Sequence, residues 1–343
     1  MRPRFLVPSD VRRGRVRRSG ARSLGMVAAL LLTVGLSACG STAGDDAPPP
    51  STAAAAPVTI EQKYGAVTVP ANPTKVATVG YNDQDFVLAL GVQPVLTRGW
   101  FDSYNTLPWV EQETDGKGVT EMKDGEIDYE ALAAAQPDVI LAIYETLDQP
   151  TYERLSKIAP TVLQPSQFPD EETPWDAQLL LTGKVLGKDQ EAQALVTKVK
   201  GAIDKAKADN PGFAGKVLVV DYGPEDGGHY LIPKGDPRRA LFDALGFAAQ
   251  DAKGDVSQEN LNLLDRDVLF VAGATKAQMA GSPGFDRLKV VQEDRTLYTT
   301  FDSPLGGALS YSGPSALLYA IDKVVPQLAN AVGGKPVADL SNA

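Results

Sequence analysis

From Val58 onward, short runs rich in valine, isoleucine and threonine alternate with stretches of helical periodicity, and no other feature of the chain limits its fold as strongly. Strands are expected over 75–79, 94–97, 139–143, 161–163, 216–221, 268–272 and 295–300, and helices over 83–90, 129–135, 237–245 and 314–328. A strand that returns to its own sheet through a helix lies parallel to its predecessor. The expected class is therefore α/β, with parallel-rich sheets covered by helices.

The middle of the chain breaks the alternation. Thr173-Pro174-Trp175 supplies a cap residue followed by a first-turn proline, and Gly187 supplies a stop. A second helix is expected over 189–209, with Ala192, Leu195, Val199, Ile203 and Ala206 on one stripe and Asn210-Pro211-Gly212 ending it. Two consecutive helices between two sets of β/α units divide the body into an N-terminal lobe, 58–170, and a C-terminal lobe, 189–335, joined through 171–188 and followed by a tail, 336–343. An internal echo agrees with that division. Glu130/Glu259, Leu132/Leu261, Asp138/Asp267 and Val139/Val268 all repeat at an offset of 129 residues, as expected of two related lobes.

The first 38 residues hold eight arginines against the single acid Asp10 and run into the apolar stretch Leu24 to Leu36, too short for a stable membrane span. That pattern is a signal peptide over 1–38, and its arginine pairs leave the export route open. Leu36-Ser37-Ala38-Cys39-Gly40 resembles the lipobox of bacterial lipoproteins, which implies acylation of Cys39, the one cysteine in the chain. The following Ser, Thr, Ala, Pro and Gly residues carry too little apolar surface to fold, so 39–57 is expected to be a flexible tether. Removing eight basic residues and one acid with the signal takes the net charge from −10 to −17. Such a body is repelled by nucleic acid and anionic lipid, so its link to a membrane is expected through the lipid alone.

In open parallel sheets, ligands lie beyond the carboxyl ends of the strands. Those positions are Tyr81, Arg98, Trp100 and Tyr144 in the first lobe and Tyr222 and Phe301 in the second. Aromatic faces offer apolar area, and arginine offers a planar donor fork for anionic oxygens. Arg98, Arg238 and Arg239 are the candidates for an anion, and of the adjacent pair one is expected to face the cleft and the other solvent. One histidine, His229, and one cysteine are too few for a zinc or manganese receptor, so no metal site is expected. Catalysis of the α/β-hydrolase type is disfavoured as well. There is no Gly-x-Ser-x-Gly elbow, and His229, expected in a loop, precedes Ser310 and Ser312 in the chain.

The segments Thr59-Ile60-Glu61-Gln62-Lys63-Tyr64-Gly65, Val69-Pro70-Ala71-Asn72-Pro73-Thr74-Lys75-Val76, Gln136-Pro137-Asp138-Val139-Ile140, Gly235-Asp236-Pro237-Arg238-Arg239 and Thr300-Phe301-Asp302-Ser303-Pro304 carry a family resemblance in their order. From Val58 to Ala331 the chain resembles the ABC-transporter solute-binding proteins for ferric siderophores, the FecB-like group of a cluster that also serves cobalamin and haem. The resemblance implies a class III periplasmic-binding-protein fold: two Rossmann-like lobes joined by a rigid helical spine, with ligand held between them. It implies a non-enzymatic monomer on the outer face of the cell membrane, without a cofactor of its own and with iron present only inside the bound chelate. It also implies one exposed glutamate per lobe for docking to an ABC permease, by position Glu130 and Glu259. Each is expected in a first helical turn, where the helix dipole favours a carboxylate in any case. Haem, with His229 or a tyrosine as axial ligand, and then cobalamin are the alternative ligands.

Overall fold

The structure, a computed structural model, describes residues 56–225 and 228–343. The expected signal peptide 1–38, nearly all of the tether 39–57 and the lipidation candidate Cys39 lie outside the described residues.

The body opens with an antiparallel hairpin, β1 (Val58–Gln62) and β2 (Gly65–Val69). Then follow β3 (Val76–Thr78), α1 (Asp83–Ala89), β4 (Leu96–Arg98), α2 (Pro108–Glu113), β5 (Glu121–Met122), α3 (Tyr129–Ala135), β6 (Val139–Ala142), α4 (Gln149–Ser156) and β7 (Thr161–Leu163). The last five strands form one all-parallel sheet in the order β5-β4-β3-β6-β7. The chain runs outward from β3 to β5 and then returns to the other side of β3, so the strand order reverses at β3. All four residues of β6 are buried, the continuous apolar run of a strand covered on both faces. Val139 and Leu141 pack with Phe86 and Val185 on one face, and Ile140 and Ala142 with Leu132 and Leu155 on the other.

Two helices come next, α5 (Trp175–Leu186) and α6 (Asp189–Asp209). Gly187 ends α5 at φ 69°, a left-handed conformation that glycine adopts without steric cost. Thr173, expected as the cap, makes no capping bond; its carbonyl instead accepts the Gln178 side-chain amide at 2.9 Å.

The second sheet is built from β8 (Val217–Glu225), β9 (Gly228–Leu231), α7 (Ala240–Ala244), β10 (Ala248–Ala249), β11 (Gly254–Ser257), β12 (Val268–Val271), α8 (Lys276–Met279), α9 (Lys289–Gln292) and β13 (Thr296–Tyr298). Its order is β11-β9-β8-β12-β13, with β10 parallel beside the start of β8. β8, β12 and β13 are parallel, whereas β9 and β11 add antiparallel pairs, so this sheet is mixed. The internal echo has a structural counterpart at the strand starts. Asp138 accepts Lys75 N–H at 2.9 Å beside β3, and Asp267 accepts Val217 N–H at 2.8 Å at the start of β8.

The chain closes with α10 (Pro304–Tyr311) and α11 (Pro314–Val332), which packs on α6 and also on α1 and α2 of the first lobe. One apolar cluster accordingly contains Phe101, Tyr104 and Trp109 from the first lobe together with Val220, Phe242 and Phe270 from the second. The segment expected as a tail folds back, with Leu340 N–H donating to Tyr298 O at 3.2 Å. Among the described residues no helix is long and apolar enough to cross a membrane.

Candidate ligand-binding cleft

The carboxyl ends of both parallel sets turn toward one another. In the first lobe, Asp83 at the start of α1 is buried and accepts N–H groups from Gly80 at 3.2 Å, Ile143 at 3.0 Å and Tyr144 at 3.3 Å. Burial pushes this carboxyl up to about 7 while the three donors pull it down. The result fixes the turns that carry Tyr81 and Tyr144, whose backbones meet at 3.0 Å. In the second lobe, β8 pairs with β12 as far as Asp221 and then shifts register against β9, and Tyr222 sits in that irregularity.

Between the lobes lies a cavity of about 120 Å³, lined by Asn82 and Tyr144 of the first lobe, Trp175 and Gln178 of α5, and Arg238 and Ser310 of the second lobe. A hollow of about 20 Å³ adjoins it, lined by Tyr222, Phe301, Leu309 and again Arg238. Of the residues expected at a ligand site, Tyr144, Tyr222, Arg238 and Phe301 therefore line these spaces, whereas Tyr81, Arg98, Trp100 and Arg239 do not.

Arg238 forks onto Asp236 at 2.9 and 2.7 Å, and its guanidinium lies 5.7 Å from the Tyr222 ring centre. Burial works against this charge, but the Asp236 hydrogen bonds and Coulomb attraction raise its pKa. Across the cavity, burial pushes the Tyr144 phenol well up; nearby Asp236 adds to the shift and Arg238 opposes it. Arg239 corrects the expectation of one arginine in the cleft and one in solvent. It is fully buried beneath the lobe surface, donating to Asp243 at 2.9 Å and Gln250 at 2.8 Å. A buried guanidinium must be matched donor by donor, and the fold supplies the acceptors there.

Arg98 stands behind the cavity wall. It is ion-paired with Glu145, donates to Gly125 O at 2.6 Å and lies 4.5 Å from the Tyr81 ring centre. Burial pushes Glu145 up to about 7, opposed by Arg98 and reinforced by Glu171. Trp100 donates to Tyr81 O at 2.5 Å and stacks on Tyr311 with ring centres 5.0 Å apart. With Phe301 at 5.7 Å, it forms an aromatic bridge from one lobe to the other.

Glu130 and Glu259 are both exposed in first helical turns, but the turns differ. Glu130 lies in α3, capped by Asp128 accepting Glu130 N–H at 3.0 Å, while Glu259 lies in a 3₁₀ segment, Gln258–Leu263, without a side-chain cap.

His229 also departs from expectation: it is in β9, not a loop, and is buried. Nδ1 meets Asp221 Oδ2 at 2.7 Å and Nε2 meets Ser282 Oγ at 3.1 Å, so neither nitrogen is presented to the cleft. The order serine, histidine, acid matches a hydrolase relay. Here the His229 and Asp221 side chains are wholly inaccessible and Ser282 also bonds Gln258, so the array braces the lobe. Among the described residues no group of three or more His, Cys, Asp or Glu is placed to hold a metal ion.

Counting strand ends stops one residue short of Glu145, which directly follows Tyr144 and was within reach of the same rule. Trp175 and Gln178 lie on the linking helix, outside any strand-end rule. Asp236 carried a signal as a cap before Pro237, and that cap also holds Arg238.

The periplasmic binding protein family model matches residues 76–302, the segment containing the parallel first sheet and the mixed second one. The chain belongs to that family. It is 26% identical over 202 residues to YhfQ of Bacillus subtilis, described as a candidate ABC transporter substrate-binding lipoprotein. The match covers 58% of this chain and spans 59% of that relative's length. It is 25% identical over 247 residues to the ferric-anguibactin-binding protein FatB of Vibrio anguillarum, covering 67% of this chain and 72% of FatB. A periplasmic solute-binding protein of Mycobacterium smegmatis superposes with a TM-score of 0.75 at 28% identity, covering 81% of this chain and 99% of that one. Family membership separates the chain from the α/β hydrolases, in keeping with the buried state of its only Ser-His-Asp array among the described residues.

Proposed function

We propose that the protein captures a ferric siderophore between its two lobes and hands it to an ABC importer without transforming it. The observation that carries this reading is the cavity at the carboxyl ends of both sheets, faced by Tyr144 from one lobe and Arg238 from the other. The relatives named for siderophore and substrate binding support the ligand class. With His229 enclosed, nothing in the cleft favours an imidazole-ligated haem.

The cavity of about 120 Å³ is smaller than the roughly 300–1,000 Å³ of a site for a drug-sized ligand. Ligand entry therefore requires the Tyr144 and Arg238 walls to part. The cluster shared by both lobes limits that movement to a small hinge opening. In this reading Cys39 carries the lipid that holds the protein at the outer face of the cell membrane. Glu130 and Glu259 seat the loaded protein on permease cations, and their exposure suits that role.

Trp175 lines the cavity and reports on it. Tryptophan emission should quench saturably on titration with a ferric siderophore and not with haemin; a response to haemin alone overturns the ligand assignment. Glu130→Ala with Glu259→Ala should abolish uptake by cells and leave quenching intact. Uptake that survives both substitutions removes the docking assignment.

A further inference from the structure

The arginine that lines the cavity and the one behind its wall are each closed by a carboxylate of their own lobe. Arg98 pairs with Glu145, and Arg238 forks onto Asp236, which also accepts the Arg238 backbone N–H at 3.0 Å. Two more carboxylates stand at the same opening. Glu172 lines the cavity, and Glu171, held by Thr146 at 2.8 Å, is near enough to raise Tyr81, Tyr144 and Glu145. The remaining polar groups are neutral, among them Asn82, Gln178 and Ser310. Arg238, the cation on the cavity lining, is thus already matched by Asp236, with Glu172 on the same lining and Glu171 close by, the reverse of the anion receptor that the arginines suggested in the sequence.

From this charge pairing we infer that the cleft selects electrically neutral ferric tris-hydroxamates over trianionic tris-catecholates, with Asp236 and Glu172 as specificity-determining residues. The inference rests on the siderophore reading above. Three hydroxamates, each losing one proton, cancel the charge of iron(III), whereas three catecholates, each losing two, leave a charge of −3. A trianion has to break the Arg238–Asp236 pair, stranding a carboxylate in a place poor in water, or sit beside Asp236, Glu171 and Glu172 uncompensated. A neutral chelate leaves that pair intact. Arg238 uses Nε and Nη2 on Asp236 and still has N–H donors on Nη1 for a ligand oxygen, and the Tyr144 hydroxyl on the cavity lining adds polarity without adding charge. The aromatic faces of Tyr222, Phe301 and Trp175 serve the apolar remainder of such a ligand.

The test is tryptophan quenching of the lipoprotein purified in mild detergent, titrated with ferrichrome as the neutral hydroxamate and ferric enterobactin as the trianionic catecholate. Ferrichrome should bind more tightly by at least about tenfold at low salt. Added salt should narrow the gap by strengthening only the trianion. Asp236→Asn should narrow it at fixed salt, and Glu172→Gln at the exposed rim gives a second reading if Asp236→Asn melts early. Tighter binding of ferric enterobactin, or a preference indifferent to both salt and Glu172→Gln, overturns the charge argument while leaving siderophore capture standing. Absence of saturable quenching by either complex overturns siderophore capture, and this inference with it.

Discussion

Arg238 and Arg239 are neighbours in sequence and live in different surroundings because Asp236 caps a single 3₁₀ turn, Pro237–Arg239, before α7 begins. That turn sends one guanidinium to the cavity and the other under β8, where Leu218 O and Ile232 O lie within 3.4 Å of it. Arg239→Ala removes a fully buried cation and takes a donor from Asp243, Gln250 Oε1 and Leu218 O, while Ile232 O keeps the Gln250 amide. The expected loss is on the order of 3 kcal/mol, read as a lower urea midpoint with ligand preference unchanged. Arg238→Ala should do the opposite, weakening ferric-chelate quenching while moving the midpoint little. The sequence made the pair visible but not its partition, because facing depends on the pitch of one turn. A 3₁₀ turn rotates successive side chains by 120°, an α turn by 100°.

At the scale of elements, legibility followed the strength of local pattern. β6, β7, β12 and α3 were readable as unbroken apolar runs or as a capped helix, and the repeat of Asp138 and Asp267 was readable from one constant offset. β9 and β11 were not expected, since their pairing is between short segments separated by a helix and several turns. α10 was missed because Gly306 and Gly307 depress helix propensity, while the fold needs them for close packing: a Cβ on Gly306 would meet Thr300 O at 2.1 Å. The Asp138 clamp has a pH signature. The backbone N–H groups of Lys75 and Thr74 hold its carboxyl below the usual range. Its stabilisation is therefore present above the unfolded pKa near 4 and is lost as pH falls through the lower folded value. Asp138→Ala should cost more at pH 7 than at pH 2, by a modest amount because the carboxylate is largely solvated. An equal cost at both values would mean that packing, not the carboxylate, is what the residue supplies.

The whole molecule is tied together by α11, which the sequence assigned to the second lobe alone and which also closes against α1 and α2 of the first. Polar groups are enclosed at that seam. Asp85 accepts Tyr104 Oη–H at 2.7 Å and Trp109 Nε1–H at 3.0 Å, Asn82 donates to Tyr311 O at 2.9 Å, and Ser315 on α11 donates to Glu113 at 2.6 Å. Burial pushes Asp85 up to about 8, opposed by Tyr104, reinforced by Glu113 and opposed again by Trp109. Burial likewise pushes Glu113 up to about 7, opposed by Ser315. A carboxyl with a raised folded pKa binds more protons folded than unfolded, so stability falls as pH rises. Asp83 and Glu145, both pushed up to about 7, act in the same direction. The protein should accordingly be most stable near pH 4 to 5 and lose stability steadily up to about pH 8, with the seam between the lobes loosening as its acids ionise. Glu113→Gln isolates one contributor. Its amide oxygen keeps the Ser315 bond, its charge is gone at every pH, and only the slope between pH 5 and 8 should flatten, since the acid limb belongs to clamps such as Asp138. Thermal melts at half-unit steps would show this, and a Glu113→Gln slope equal to that of the unaltered protein would mean that Glu113 is already ionised and solvated at the seam.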